Sequence, residues 1–206
     1  MSERSWQVLM IGGNSGAGKT MVAREIGLFF GLPWVQVDSL RLMLEWNTDP
    51  IQRPALHLFD DIVAIVRHPA EVVTSWRIAN AVETSHSIEV VVAHHVSSGA
   101  PVILEGDDIV PAMAAQRTFA KFDVPERAVQ SVFIIESDEA IILANMRKRS
   151  AGFGFSRHTS AEQANRVRVS RLYGAWLEQE ADRYGLPTLR ARPYDTLAQR
   201  IIALFG

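Results

Sequence analysis

Residues 8–26 read VLMIGGNSGAGKTMVAREI, passing from an unbroken apolar segment through four glycines to apolar residues at helical spacing. The apolar segment predicts a buried strand over residues 6–12, and the later spacing predicts a helix over Gly18 to Phe30. Between them, residues 13–20 fit the pattern G-x-x-x-x-G-K-[ST], in the strand-to-helix context that this pattern requires. The stretch therefore predicts a phosphate-binding loop in an α/β fold.

The residue types in this loop suit the phosphates of a nucleoside triphosphate. Glycines let backbone N–H groups approach phosphate oxygens closely, and the N-terminus of the following helix adds the positive end of its dipole. Lys19 is expected to reach the β- and γ-phosphates, and Thr20 to offer its hydroxyl to Mg²⁺. The alternative is a glycine-rich connection with a surface lysine. We predict that the nucleotide is held by Gly13, Asn14, Ser15, Gly16, Ala17, Gly18, Lys19 and Thr20.

The composition narrows the class of protein. The chain has 206 residues, 48% hydrophobic and 21% charged, which suits a single domain over residues 1–206. A net charge of −2 gives no reason to expect nucleic acid as a partner. The absence of cysteine excludes disulfides and thiolate zinc sites and makes a cytoplasmic location the default expectation. No segment approaches the roughly 20 apolar residues of a membrane span, so we expect a soluble protein that binds small molecules.

The rest of the chain alternates between strand-like and helix-like patterns. Short apolar runs rich in β-branched residues predict five strands, at residues 6–12, 33–38, 101–106, 131–137 and 187–192. Helical spacing predicts Gly18 to Phe30, Ser39 to Trp46, a pair over Pro54 to Ser98, Pro111 to Ala120, Asp138 to Arg149, Ala161 to Tyr184 and Thr196 to Phe205. Such alternation, with strands apolar on both faces, predicts a five-stranded parallel sheet with helices on both sides, a three-layer α/β fold.

A carboxylate and an arginine follow the second predicted strand. Asp38 ends the run PWVQVD, and Arg41 lies three residues later on the first turn of the next helix. Doubly wound sheets bind ligands at this end of their strands. Asp38 is therefore predicted to orient or deprotonate an acceptor hydroxyl, and Arg41 to hold an anionic group. The alternatives are a helix N-cap for Asp38 and a solvated side chain for Arg41.

Three carboxylates follow the third predicted strand, in the segment VILEGDDIVP. Glu105 is the first candidate to hold Mg²⁺ through water or to polarise the acceptor, and Asp107 is the second. Asp108 has the simpler alternative of capping the next helix. Because three neighbouring carboxylates repel one another, their number weakly favours a metal or a basic lid nearby.

A glycine-containing segment with basic flanks, NMRKRSAGFGFSRH, precedes the long predicted helix at residues 161–184. Its composition predicts a mobile lid over about residues 147–166. Arginines brought in by closure would stabilise the charge of a transferred phosphoryl group, and Arg147 and Arg157 are the candidates. The alternative is that such arginines pair with acids on exposed helix faces.

The turn before the last predicted helix reads RPYD. It is expected at the same sheet edge as the phosphate loop, where Arg192, Pro193 and Tyr194 could pack against the nucleobase. The alternative is an ordinary strand-to-helix connection in which Asp195 or Thr196 caps the helix.

Two other segments limit the chemistry. The run FIIESDEA after the fourth predicted strand lacks a guanine-reading N-K-x-D motif, which disfavours a regulatory GTPase. His94 and His95 lie in a long helical stretch and are interpreted as partly exposed structural residues, with no transition-metal site.

The phosphate loop, VDSLR after strand two, VILEGDDIVP after strand three, the arginine-bearing loop and RPYDTL together resemble the nucleoside monophosphate kinase-like branch of P-loop kinases. Within it, ILEGDDIVP and the long helix before it are similar to 2-phosphoglycerate kinase-type proteins, and more distantly to shikimate, gluconate and chloramphenicol kinases. The resemblance implies a P-loop NTPase fold with strand order 2-3-1-4-5, ATP with Mg²⁺, a mobile lid and γ-phosphoryl transfer to a small acceptor. It assigns residues 13–20 to the phosphates and Mg²⁺, Asp38 and Arg41 to the acceptor, and residues 147–157 to the lid.

The segment EGDD departs from this resemblance. Relatives with a phosphorylated or carboxylated acceptor often have an apolar or histidine pair after EG, where this chain has Asp107 and Asp108. An acidic acceptor pocket would suit a neutral or cationic acceptor better than phosphoglycerate.

Two functions of different class follow from the sequence. The first is an ATP-dependent kinase that phosphorylates a hydroxyl of a small metabolite or natural product, with Asp38 or an acid near Glu105 aligning the acceptor. The second is a nucleotide-binding regulatory or interaction protein whose lid closes on ATP to present a surface to a macromolecule. The two differ in whether a small acceptor accelerates turnover. The sequence leaves this choice and the oligomeric state open.

Overall fold

A computed structural model describes residues 4–60, 67–149, 155 and 158–205, with a parallel sheet at its centre. The strands in chain order are β1 (Val8–Gly13), β2 (Trp34–Gln36), β3 (Val102–Glu105), β4 (Thr118–Phe119), β5 (Phe122–Asp123), β6 (Val129–Ile135) and β7 (Thr188–Arg190). β4 and β5 form a separate antiparallel hairpin, and the other five strands pair in parallel in the order β2-β3-β1-β6-β7. Without the hairpin this is the order 2-3-1-4-5, so the predicted fold is confirmed.

Helices connect the strands and cover the sheet. They are α1 (Lys19–Phe30), α2 (Asp38–Asn47), α3 (Ala70–Ser97), α4 (Pro111–Ala114), α5 (Glu139–Arg149), α6 (Ser160–Arg183) and α7 (Leu197–Phe205), with a 3-10 turn at Tyr194–Thr196. α6 begins with a capping box in which Thr159 and Glu162 each accept a backbone N–H of the other. Among the described residues, no helix has both the length and the apolar character needed to cross a membrane.

The side chains of β1 alternate between two apolar layers. Val8 and Met10 belong to a cluster shared with α3, α4 and α6, whereas Leu9 and Ile11 belong to one shared with α1 and α7. All four side chains are buried, as expected for a central strand covered on both faces. The three-layer arrangement therefore follows from the apolar run that opens the chain.

α4 ends earlier than the sequence predicts. The expected helix over Pro111 to Ala120 stops at Ala114, and the β4–β5 hairpin follows. The hairpin turn uses Ala120 and Lys121, whose φ angles of 47° and 69° are left-handed. Neither is a residue type that marks such a turn in a sequence. Phe119 on β4 is fully buried, and this apolar contact offsets the cost of the left-handed backbone.

The predicted helix pair over Pro54 to Ser98 is seen in part. α3 accounts for the second helix and begins directly after Pro69, which fixes the start of the helix. Residues 54–59 form turns instead of a helix, and residues 61–66 lie outside the described residues. The structure thus corrects the beginning of the first helix and confirms the second.

Candidate functional site

The carboxyl ends of four parallel strands bring the predicted site residues to one edge of the sheet. Ile11 and Gln36 both lie opposite Glu105, and Gly13 lies opposite Ile134 in the register of the sheet. The segments that follow β1, β2, β3 and β6 therefore start side by side. This edge is where open α/β sheets bind ligands.

The glycine loop after β1 has the backbone that an anion site needs. Gly16 and Gly18 have left-handed φ angles of 84° and 89°, and Gly18 is the N-cap of α1. A Cβ atom at Gly13 would lie 2.2 Å from the carbonyl oxygen of Ile134, so only glycine fits there. The loop thus ends at an open helix N-terminus, which favours negative charge.

Asn14 fixes the loop to the rest of the protein. Its side chain is fully buried; Nδ2 donates to the carbonyl oxygen of Glu136 and to Ser170 Oγ, each at 3.0 Å. Asn14 Oδ1 accepts the backbone N–H of Glu136 at 3.1 Å. The side-chain amide therefore holds the loop against β6 and α6. Only the main chain of Asn14 can then contact a phosphate.

Lys19 lies inside the loop and is almost fully buried. Its Nζ donates to the carbonyl oxygen of Asn14 at 3.0 Å and lies 2.5 Å from Asp107 Oδ1. Ser15 Oγ donates to the other carboxylate oxygen, Oδ2, at 2.5 Å. One carboxylate therefore contacts both a loop hydroxyl and the loop cation.

The ionisation of Asp107 follows from these contacts. Burial alone would raise the pKa of Asp107. The charges of Lys19 and Arg77, with hydrogen bonds from Lys19 and Ser15, outweigh burial and hold that pKa well below its usual range. Asp107 is thus an anion at any pH near neutrality.

Thr20 and Glu105 form the candidate Mg²⁺ position. Thr20 Oγ1 donates to Glu105 Oε1 at 2.8 Å and accepts from Gln36 Nε2 at 3.3 Å. A hydroxyl next to a carboxylate is a pair of the hard oxygen ligands that Mg²⁺ prefers. Within the described ranges no group of three or more histidine or acidic side chains could hold a metal by itself. Mg²⁺ commonly uses only one or two protein ligands and completes its shell with phosphates and water, so the pair fits.

Asp108 forms ion pairs with two arginines, one from α2 and one from α3. It is fully buried, with Oδ1 2.5 Å from Arg77 Nη1 and Oδ2 3.6 Å from Arg41 Nε. Burial alone would lower the pKa of Arg77. The negative charge of Asp108 outweighs burial and raises that pKa. The guanidinium of Arg77 also lies 5.3 Å from the ring centroid of Tyr173. The two aspartates therefore have different ion-pair partners, although the charge of Arg77 acts on both. An acidic acceptor pocket at Asp107 and Asp108 stays a prediction.

Replacing Arg77 with methionine is expected to lower the free energy of unfolding by about 3–5 kcal/mol, because it leaves the buried Asp108 carboxylate without its main partner. Urea unfolding monitored by circular dichroism measures this loss. Arg168→Met is the matched control, since Arg168 pairs with Glu71 in an exposed contact of 2.7 Å and should cost less than about 1 kcal/mol. Equal losses in the two variants would show that the buried pair has no special role.

Asp38 and Arg41 lie at the start of α2, but their contacts differ from the predictions. The N-cap of α2 is Val37, so Asp38 is the first helical residue and the N-cap alternative is wrong. Asp38 keeps 36% of its side chain exposed and lies 3.8 Å from the guanidinium of Arg149. Arg41 pairs with Glu45 one turn later in addition to its approach to Asp108. Asp38 is therefore open to an acceptor, whereas Arg41 is already engaged by carboxylates.

The surroundings of Asp38 affect its proton affinity. Burial, and then the negative charges of Asp107 and Asp108, raise the pKa of Asp38 above its ordinary value. Lys19 and Arg77 act in the opposite direction but do not cancel the increase. A carboxylate with a raised pKa is a better proton acceptor, which suits the predicted role.

The lid predictions are only partly covered by the described residues. Arg147 donates from Nε and Nη2 to Gln163 Oε1, at 3.0 Å and 2.8 Å, and so connects α5 with α6. Arg157 and most of the segment at residues 150–157 lie outside the described residues. On exposed helix faces, Arg168 pairs with Glu71 and Arg171 pairs with Glu139. This agrees with the alternative that such arginines pair with surface acids.

The turn before α7 contacts the phosphate loop. Arg192 donates to both carboxylate oxygens of Glu136, at 2.9 Å and 3.2 Å. The ring of Tyr194 lies 3.3 Å from the position that a Cβ would take at Gly18. Asn145 Nδ2 donates both to the Tyr194 hydroxyl at 2.9 Å and to the carbonyl oxygen of Gly16 at 2.8 Å. Tyr194 is thus a neighbour of the loop, whereas Arg192 is engaged by Glu136, and the role of Arg192, Pro193 and Tyr194 beside a nucleobase stays a prediction.

Helix α6 supplies residues that the sequence did not indicate. Ser170 Oγ donates to the carbonyl oxygen of Ser15 at 2.7 Å, and the Tyr173 hydroxyl donates to the carbonyl oxygen of Asp107 at 2.6 Å. Gly174 packs so close to Asn14 that an added Cβ would lie 3.0 Å from its side chain. This face of α6 therefore braces the loop and the segment after β3 together. An aromatic or hydroxyl residue in a long helix gives no signal of such a partner.

Comparisons with known proteins agree on the fold. No family model and no curated protein matches the chain. Among solved structures, the chain is similar to a sugar kinase from Janibacter sp. HTCC2649, at 16% identity and a TM-score of 0.57, over 96% of this chain and 93% of that one. It is also similar to a gluconokinase from Sinorhizobium meliloti 1021 (14%, TM-score 0.52, 98% and 92% covered) and to a shikimate kinase from Acinetobacter baumannii (15%, 0.51, 98% and 93%). These likenesses confirm the predicted P-loop NTPase α/β fold over nearly the whole chain.

Proposed function

We propose that the protein is an ATP-dependent, Mg²⁺-requiring phosphotransferase that transfers the γ-phosphoryl group to a hydroxyl of a small metabolite or natural product. The observation that carries this proposal is a pair of contacts beside the glycine loop: Lys19 with Asp107 at 2.5 Å and Thr20 with Glu105 at 2.8 Å. They gather the cation, hydroxyl and carboxylates that phosphoryl transfer uses. The similar structures named as gluconokinase, shikimate kinase and sugar kinase support a small acceptor.

Phosphate binding would rest on the loop backbone and Lys19. Gly16 and Gly18 turn the chain so that backbone N–H groups can face an anion, and α1 begins directly behind them. Asn14 and Ser170 hold this backbone rigid, so little reorganisation is needed when the phosphates enter. Lys19 would neutralise the charge that spreads over the transferred group.

Thr20 and Glu105 would hold Mg²⁺. When bound, Mg²⁺ neutralises negative charge on the phosphate oxygens and helps to orient them. The hydrogen bond between Thr20 and Glu105, supported by Gln36, keeps both oxygen ligands on one side of the loop. The nearly complete burial of Glu105 protects this arrangement from competing water.

Asp38 would act on the acceptor. In the proposed reaction the acceptor oxygen forms a bond to the γ-phosphorus while the bond to the bridging oxygen of ADP breaks, and the hydroxyl proton passes to Asp38. The partial exposure of Asp38 gives a substrate access, and its raised pKa makes the carboxylate a stronger base. Arg149, which lies 3.8 Å from Asp38, would add a positive charge near the transferred group.

A second candidate function is favoured by the surface of α2. Of its ten residues none is buried, and Leu42, Met43 and Trp46 are 47%, 63% and 87% exposed. An apolar helix face of this kind is typical of a surface that contacts another macromolecule. A nucleotide-binding interaction protein would use such a face and show no acceptor-stimulated turnover.

The experiment that tests the proposal measures ADP release from Mg-ATP with and without a pooled library of hydroxyl-bearing metabolites and natural products. We expect the library to accelerate ADP release and mass spectrometry to detect a phosphorylated product. The acceleration should disappear in Lys19→Ala. Tight ATP binding without stimulation or product across a broad library would favour the interaction protein instead.

A further inference from the structure

The Lys19–Asp107 pair occupies the position where a nucleotide phosphate is expected. The carboxylate of Asp107 bridges Lys19 Nζ and Ser15 Oγ, with both contacts at 2.5 Å. Both groups, the cation of Lys19 and the hydroxyl of the loop residue Ser15, are expected to bind the triphosphate in the proposed function. The side chain of Lys19 is only 4% exposed, so a protein group takes the place of water around its charge.

Hydrogen bonds fix the main chain around Asp107, whereas, among the described residues, only the contacts with Lys19 and Ser15 hold its carboxylate. Gly106 N–H donates to the carbonyl oxygen of Ile11 at 3.2 Å, and the Tyr173 hydroxyl donates to the carbonyl oxygen of Asp107 at 2.6 Å. Asp108 is anchored on the other side by Arg77. A change in the side-chain torsion of Asp107 is therefore enough to release Lys19, without movement of β3 or α4.

The contacts of the Asp107 carboxylate are with a cation and a hydroxyl donor, Lys19 and Ser15. Only another anion competes for Lys19 and Ser15 on equal terms. A triphosphate brings several anionic oxygens to the same two groups and is supported by the loop backbone.

We propose that Asp107 is an internal competitor of the nucleotide: its carboxylate occupies Lys19 and Ser15 in the empty site and leaves them when the triphosphate binds. This inference rests on the proposed function, because it assumes that the loop binds a triphosphate. It assigns Asp107 a positioning role before catalysis, since Lys19 is kept in place and shielded until its substrate arrives. It also lowers the affinity of the empty site for small anions, because each must displace a carboxylate that is already bound.

Asp107→Asn tests this role by titration calorimetry with a non-hydrolysable ATP analogue. In Mg²⁺-free buffer the carboxylate can only compete, so the variant should bind the analogue about tenfold more tightly than the wild type. The thermal midpoint of the variant without nucleotide should fall, since Lys19 loses its charged partner, and the increase on adding the analogue should exceed that of the wild type. A merely structural role would instead lower both the stability and the affinity.

Asp182→Asn is the matched control, since Asp182 is exposed in the last turn of α6 and the substitution removes the same charge. It should leave the affinity for the analogue unchanged. If Asp107→Asn fails to fold, Asp107→Ser removes the same charge, keeps a short polar side chain and should give a similar gain in affinity. A folded variant that binds the analogue with equal or lower affinity overturns the inference.

The outcomes also separate this inference from the proposed function. A wild-type protein that binds no nucleotide would remove the basis of both. A wild-type protein that binds the analogue and phosphorylates an acceptor, with no tighter binding in a folded Asp107→Asn or Asp107→Ser, would overturn only the role of Asp107.

Discussion

Lys19→Ala should lower kcat for acceptor-stimulated ADP release by about 10²–10³-fold, the loss typical of removing one preorganised group that stabilises developing charge. Lys19 is the cation inside the glycine loop and is nearly excluded from water, so its charge is weakly screened. Mg-ATP should also bind more weakly, because the remaining Asp107 carboxylate faces the phosphates without its partner. Coupled-assay rates and titration calorimetry measure the two effects separately.

Two further variants decide how the loss at Lys19 arises. Arg24→Ala removes an exposed cation from the next turn of the same helix and should leave both quantities unchanged. Lys19→Ala combined with Asp107→Asn should recover part of the nucleotide affinity but none of the transfer rate, since it removes the repulsion without restoring the cation. A folded Lys19→Ala protein that binds Mg-ATP like the wild type would contradict the assignment of the loop.

The sequence predicted the fold well where local patterns determine the structure. The run at residues 8–13 is apolar on both faces and is followed by a phosphate-loop pattern, so the central strand and the start of α1 follow directly. The hairpin of β4 and β5 could not be predicted in the same way. Its left-handed residues, Ala120 and Lys121, are neither glycine nor asparagine. The turn is stabilised by Phe119, which is buried among residues that are distant in the sequence.

The same distinction applies to the site. Thr20 follows from the phosphate-loop pattern and Glu105 from its place at the end of a strand, and the pairing of β1 with β3 brings the two together. Arg77 was missed because it lies inside α3, where spacing shows which face a residue occupies but not which charge it meets. The partners of Asp107 and Asp108 could not be predicted for the same reason, since Lys19 lies on α1 and Arg77 on α3.

Asp38→Asn should reduce acceptor phosphorylation by about 10²–10⁴-fold, the usual contribution of a general base, while nucleotide affinity stays close to that of the wild type. The substitution keeps the shape of the side chain but removes the proton acceptor at the start of α2. Asp38 forms its ion pair with Arg149 and acts on the Lys19–Asp107 pair through its charge, so the contacts within the phosphate loop should not change. The effect is therefore expected in kcat and not in binding of an ATP analogue.

The pH dependence gives an independent test of Asp38. Burial and the charges of Asp107 and Asp108 raise the pKa of Asp38, so transfer should fall as the pH drops through a value above that of an ordinary aspartate. This acidic limb should be absent from the residual activity of Asp38→Asn and unchanged in Asp182→Asn, where an exposed carboxylate is replaced. Loss of nucleotide binding in parallel with transfer would make Asp38 a structural residue. A wild-type acidic limb retained in the variant would assign the proton to another group, and Glu105 would be the next to replace because it lies at the same edge of the sheet.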